Sequence, residues 1–385
     1  MFSNGYAYQI ASNHSYVKNS SFTTNYYVNV EGYGDFKSVF QGKKGTSKSE
    51  KLILQNEVSV NINLEAELDE ITKYGIKFIQ VFNNTYDKER EYYGYLHGYY
   101  GRLEFGDTLS VAENMRIGAD TIALGSGGIG SSDFIRSVTM PASSFYILAP
   151  GTLSSQNFGY HSTSSDQDYW DKGKYQTKIS YYSPEFLGLQ IGFGVTPNVK
   201  LLSGSISSTV PTSDVSLGTM FSYGLSYINT FDSLGIVLSM VGEENVADKA
   251  VNNVDGVGEM MNDKFSSREF GVNINYFGLT FAASTGSTQR KVQTTQLISS
   301  TYGKGEYKTY GFVYELSEFS VSATYFNSEY KKHSKFNSAA FAIEDKMSKN
   351  LSLYIEYIKF KAEYIVTPTK NEGFSVLCGI LLNFN

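Results

Sequence analysis

The chain has 385 residues, 15% of them aromatic and 18% charged, with a net charge of -6, 6 prolines and a single cysteine. The acidic balance argues against a nucleic-acid surface, and the lone Cys378 excludes an intramolecular disulfide and zinc sites of the multi-cysteine type. No run approaches 18 apolar residues, which excludes an ordinary transmembrane helix.

Residues 1–25 are polar and irregular and read as a tail, a lumen segment or an extra strand. Met1-Phe2-Ser3-Asn4-Gly5 has neither a basic region nor an apolar core, so the chain reads as a mature form with an added start Met. From Tyr26 to the end the texture does not change, which predicts one unit, residues 26–385.

Within that unit alternation with period two recurs. Val58, Val60, Ile62, Leu64 and Ala66 fall on one face, with Ser59, Asn61, Asn63 and Glu65 on the other. Leu187 to Val195, Leu217 to Tyr227, Phe270 to Tyr276, Phe319 to Tyr325 and Leu351 to Tyr357 repeat the pattern. The last strand, Phe374 to Phe384, puts Phe374, Val376, Cys378, Ile380, Leu382 and Phe384 on one face, so Cys378 reads as a small apolar filler. A mean hydropathy of -0.25 fits such a chain, because apolar outward residues alternate with polar inward ones. Tyr92-Tyr93 and Tyr99-Tyr100 near strand ends read as parts of an interfacial aromatic girdle.

The connections alternate short and long. Short ones fall at Asp69 to Lys73, Tyr99 to Gly101, Ser183 to Leu187, Thr230 to Leu234, Phe277-Gly278, Leu316 to Glu318 and Asp345 to Asn350. Long ones are expected over residues 42–51, 83–91, 108–173, 197–216, 243–264, 287–304, 328–335 and 366–372. Short turns at one rim and long loops at the other describe an all-β, transmembrane, antiparallel up-and-down β-barrel of about 16 strands. A barrel of that size encloses water, whereas about 8 strands would be filled by side chains.

Four stretches resemble the Gram-negative general-diffusion porins, especially the alphaproteobacterial type. They are the turn Tyr181-Tyr182-Ser183-Pro184-Glu185-Phe186-Leu187-Gly188, the hairpin Tyr92 to Asp107, the Gly- and Ser-rich run from Arg116 to Arg136, and the apolar-alternating C-terminus. The chain departs from the family in ending on Asn385 after Phe384 and in having few arginines. The resemblance implies that residues 108–173 fold inward as a constriction loop. It also implies a water-filled outer-membrane channel for passive diffusion of ions and small hydrophilic solutes, and a homotrimer in outer-membrane lipid. An inward loop opposes acidic and basic groups across a narrow gap and so sets a size cut-off and a transverse field. Candidates on the loop are Glu113, Arg116, Asp120, Asp133 and Arg136; candidates on the wall are Lys77, Arg102 and Glu104. For each, a plain solvated lumen charge is the simpler reading.

Other motifs carry less. Gly125 to Gly130 reads G-S-G-G-I-G, but no Lys-Ser/Thr pair follows, so close packing against the wall is expected rather than phosphate binding. Asp166, Asp168 and Asp171 could hold a structural divalent cation, although the spacing is not that of an EF-hand and a solvated acidic loop is the simpler reading; no other cofactor is expected. The four histidines, His14, His97, His161 and His333, are scattered, and no nucleophile elbow or zinc-helix motif supports an enzyme. The competing readings are a substrate-specific barrel, a surface-exposed structural or adhesive barrel, and a large soluble β protein. The net charge of -6 predicts a weak cation preference.

Overall fold

A computed structural model describes residues 26–45, 49–83, 90–130, 151–152, 175–197, 199–202, 214–216, 218–246, 264–291, 303–331, 334–364 and 370–384. The residues form β1 (Tyr26–Gly45), β2 (Ser49–Glu67), β3 (Lys73–Asn83), β4 (Arg90–Gly98), β5 (Gly101–Asp107), β6 (Thr177–Tyr182) and β7 (Leu189–Thr196). A small hairpin follows, β8 (Lys200–Leu202) and β9 (Asp214–Ser216). The wall resumes with β10 (Thr219–Phe231), β11 (Leu234–Val246), β12 (Lys264–Tyr276), β13 (Leu279–Lys291) and β14 (Gly303–Glu315). It ends with β15 (Phe319–Tyr330), β16 (Ser334–Ser348), β17 (Leu351–Tyr364) and β18 (Lys370–Phe384).

Apart from β8 and β9, neighbours in sequence are neighbours in space, and β18 pairs antiparallel with β1 to close a 16-stranded barrel. Closure matters physically. Each backbone group left unpaired in hydrocarbon costs several kcal/mol, so a membrane-spanning sheet must have no free edge.

The alternation read from sequence sets inside and outside. Ile76 (58% exposed), Phe105 (61%) and Ile355 (59%) project outward, while Ser180, Thr309 and Glu356 project inward and are buried. Cys378 is on the outer face and exposed. Tyr92 is outward as expected of a girdle, but Tyr93 turns into the lumen beside Tyr95, their ring centroids 6.5 Å apart, because adjacent strand residues face opposite ways.

All seven short connections are tight turns at one rim, the rim that short turns mark as periplasmic. Asp69 caps the first: its Oδ1 accepts the Ile71 and Thr72 N–H groups at 2.9 and 2.6 Å, which holds its carboxyl below the usual range. Phe277 (φ +47°) and Gly278 (φ +80°) make a two-residue turn with both φ values positive, as the right-handed twist of the flanking strands requires.

Several of the long connections are shorter than their sequence suggests. β1 and β2 continue to Gly45 and from Ser49, and β15 and β16 to Tyr330 and from Ser334; β11, β13, β14 and β18 likewise reach into segments read as loop. Above the hydrocarbon both faces of a strand meet water, so the ladder continues while the apolar alternation that announces it is lost. Residues 197–216, read as plain loop, contain β8 and β9.

Candidate functional site

Between β5 and β6 the chain leaves the wall and turns into the barrel. Its first element is α1 (Val111–Met115), capped by Ser110, whose Oγ accepts the Glu113 N–H at 3.1 Å. Val111, Ala112 and Met115 pack on the inner wall with Tyr182 and Val241. The fit depends on missing side chains in the wall. A Cβ on Gly192 would lie 2.5 Å from Val111 Cγ1, and one on Gly224 would lie 2.7 Å from Met115 Sδ. On β12 the Ile117 carbonyl occupies the space where Gly271 would carry its Cβ.

The loop then crosses the wall strand by strand. Asn114 Nδ2 donates to the Tyr182 hydroxyl on β6 at 2.8 Å. Arg116 Nε donates to Glu269 on β12 at 2.9 Å. The Ala119 N–H donates to Thr309 Oγ1 on β14 at 3.0 Å, and the Leu124 N–H to Ser322 Oγ on β15 at 3.2 Å. Ser126 donates through its N–H (3.2 Å) and its hydroxyl (2.5 Å) to Glu356 on β17. The run Gly125 to Gly130 thus lies against the wall, with Gly125 beside the Tyr354 ring.

A buried polar network fastens the middle of this belt. Arg116 Nη1 is 2.6 Å from Asp120 Oδ2 and 3.9 Å from Glu113 Oε1. The Tyr307 hydroxyl donates to Glu269 at 2.6 Å and accepts the Gly151 N–H at 3.2 Å; the Thr152 hydroxyl donates to Glu113 at 3.1 Å. Outgoing and returning limbs of the loop are therefore tied to one strand carboxylate. Burial alone would weaken the guanidinium as a base, but Asp120, Glu269 and Glu113 outweigh it and hold Arg116 well above its ordinary value. The cation is permanent.

The inner wall from β1 to β5 takes none of the bonds named above from residues 111–126, and it meets the start of the loop at Glu91, which accepts the Thr108 hydroxyl at 2.8 Å. It carries the other candidates. Arg102 Nε is 2.7 Å from Glu104 Oε1, and its guanidinium carbon lies 4.8 Å from the Tyr95 ring centroid. Lys77 is within electrostatic reach of Glu91, Arg102, Glu31 and Glu104. Lys73 is 2.9 Å from Glu65, which also accepts from Tyr95 at 2.8 Å. Among the described side chains, Glu31, Glu57, Glu65, Glu67, Glu91 and Glu104 share the inward parity of these strands, against Lys73, Lys77 and Arg102, with Asp35 and Lys37 paired to one another at 3.0 Å.

The structure therefore brings Lys77, Arg102 and Glu104 together on the open wall, and Glu113, Arg116 and Asp120 together in the loop. Arg116 differs from Arg102: its side chain is 5% exposed against 36%, and its charge is spent on holding the loop. Asp133, Arg136, Asp166, Asp168 and Asp171 lie outside the described residues. Among the described residues no group of three or more His, Cys, Asp or Glu side chains could hold a metal ion. Sequence reasoning missed Glu269, Glu356, Tyr307 and the wall glycines. A signal existed: acidic residues and glycines recur at inward positions of otherwise apolar-alternating strands.

Comparison with known proteins gives three findings. Residues 9–363 match the family model described as Gram-negative porin. A protein of Rickettsia bellii, described only as uncharacterized, is 25% identical over 183 residues; the match spans 44% of this chain and 41% of that protein's length. Among solved structures, the anion-selective porin from Comamonas acidovorans has a TM-score of 0.61 at 16% identity, covering 93% of this chain and 100% of that one. The outer membrane channel DcaP of Acinetobacter baumannii has a TM-score of 0.60 at 10% identity, covering 97% and 100%. Salmonella typhi OmpF has a TM-score of 0.56 at 13% identity, covering 93% and 98%. At such identities the likeness is one of fold.

Proposed function

The chain belongs to the Gram-negative porin family and forms a passive diffusion channel in the outer membrane, and from that premise we propose a homotrimeric, cation-preferring channel whose aperture lies between the inward loop and the wall of β1 to β5. The observation that carries this reading is the path of the described loop residues 111–126: their hydrogen bonds fasten them to the lumen wall from β6 to β17. Ions and small polar solutes then pass along a surface where, among the described side chains, inward glutamates outnumber lysine and arginine. Fixed charge of one sign near a narrow passage attracts the opposite ion. The Comamonas protein, by contrast, is described as anion-selective.

The lengths of the wall strands support the trimer. β5 has 7 residues, β6 has 6 and β7 has 8, fewer than the roughly 9–11 that a tilted transmembrane strand needs. Their outward side chains, among them Leu103, Phe105, Ile179 and Ile191, are apolar and exposed. A low apolar wall is mismatched to the bilayer, and neighbouring copies of the chain would cover it.

Planar-bilayer recording under a potassium chloride gradient tests both points. The reversal potential should have the sign of cation preference, and Glu91→Gln with Glu104→Gln should move it toward zero. Closure at high voltage should occur in three equal steps. Anion preference would overturn the charge reading, and closure in a single step would overturn the trimer.

A further inference from the structure

Outside the barrel, an apolar cleft of about 710 Å3 crosses the lipid-facing surface from β12 to β17. Its floor is Ala283, Ala323 and Ala339, and its walls include Phe281, Tyr310 and Tyr357. The small side chains interrupt a face that is otherwise studded with exposed aromatic rings. Register places Ala283 opposite Tyr310, and Ala339 opposite Tyr325 on one side and Lys359 on the other.

Two cations border this cleft. Lys359 lines it, and Lys308 is the next outward residue beyond Tyr310 toward the long-loop rim. Both are exposed, and neither makes a salt bridge among the described residues. The lysines above them behave differently. Glu306 serves Lys304 at 2.6 Å and Lys331 at 3.8 Å and reaches Lys308 only through space, and Glu363 serves Lys361 at 2.7 Å and Lys370 at 3.5 Å. Glu329 pairs with Lys335 at 3.6 Å and Glu372 stands opposite Lys361, so among the described residues lysines outnumber carboxylates along the upper ends of β14 to β18 and this face is locally positive on a chain whose net charge is -6.

We propose that the cleft seats an acyl chain of a membrane lipid whose anionic phosphate headgroup is held by Lys308 and Lys359. The chemistry is complementary at both ends. Apolar walls receive the chain, and the lysine stems run along the apolar surface to carry their ammonium groups to headgroup level. A second copy of the protein is the poorer occupant, because it would bury two lysines without counter-charge, and burial of unpaired charge is costly. The low wall that suits self-association lies elsewhere, at β5 to β7.

Native mass spectrometry of the full chain in detergent, with dioleoyl phosphatidylglycerol or dioleoyl phosphatidylcholine added, tests this. The anionic lipid should be retained about 10- to 30-fold in preference, the scale expected for two lysines near an anionic surface. K308Q with K359Q should reduce phosphatidylglycerol to the level of phosphatidylcholine. A323F, which fills the cleft and keeps both lysines, should lower retention of both lipids. Unaltered conductance in both variants would verify the folded barrel. Equal retention of the two lipids by the unmodified chain would overturn the proposal. So would undiminished phosphatidylglycerol on A323F, and so would loss of oligomer in either variant with lipid unchanged.

Discussion

Replacing Arg116 with alanine should free the constriction loop and produce larger, flickering single-channel currents from a less stable barrel. Among the described residues Arg116 is the one cation paired with Asp120, Glu269 and Glu113, and Glu269 is itself almost wholly buried. Removing one partner of a buried ion pair leaves the other charge uncompensated and costs about 3–5 kcal/mol. The loss falls on the loop rather than on the barrel ladder, because no strand-to-strand hydrogen bond passes through Arg116. Glu269 also receives the Tyr307 hydroxyl that holds Gly151, so both limbs of the loop loosen together. The expected readout is open-channel noise and a raised mean conductance, with the heat-modifiable mobility of the folded barrel retained at room temperature. Quiet channels of unchanged size would show that the loop's other hydrogen bonds and its apolar contacts hold it without Arg116.

Replacing Gly271 with valine should act in the opposite direction and lower the conductance. The Ile117 carbonyl occupies the position of any Cβ at residue 271, and the nearest alternative space is taken by Ser239. Overpacking of this kind costs about 1–3 kcal/mol. Here the strain can be relieved only by lifting the loop off β12 into the lumen, since the backbone of β12 is fixed by β11 and β13 on either side. The two variants therefore separate two ways of disturbing one contact: loss of a clamp widens the passage, and a wedge behind the loop narrows it. An increase in conductance for Gly271→Val would contradict the belt geometry.

Much of the fold was legible because the bilayer imposes a simple code. Val58 to Ala66 and Phe319 to Tyr325 alternate strictly where one face meets lipid, and the turns at Asp69, Phe277-Gly278 and Leu316 to Glu318 carry turn residues where the chain must reverse within a few residues. The code fades where water bathes both faces, so the upper ends of β1 and β2, and those of β11, β13 and β14, read as loops and prove to be strand.

The site was legible in part and for a different reason. Glu113, Arg116 and Asp120 announce themselves as charges in an overlong loop. Their partner does not, because Glu269 is 153 residues from Arg116 and only the register of β12 within the closed barrel brings it beneath the loop. The glycine seats behave alike. Gly192, Gly224 and Gly271 look like ordinary small residues in strands, and their shared role appears only when β7, β10 and β12 are placed along one loop path. Arg102 and Glu104 alternate with the apolar Leu103 and Phe105, a local signal that needs no partner strand.

The central claim is a water-filled lumen left open beside the fastened loop. Single-channel recording of the purified chain in a planar bilayer tests it most directly, over a series of potassium chloride concentrations. Stable, ohmic current steps that grow in proportion to salt are expected. A correctly folded barrel that inserts and passes no current would contradict the claim.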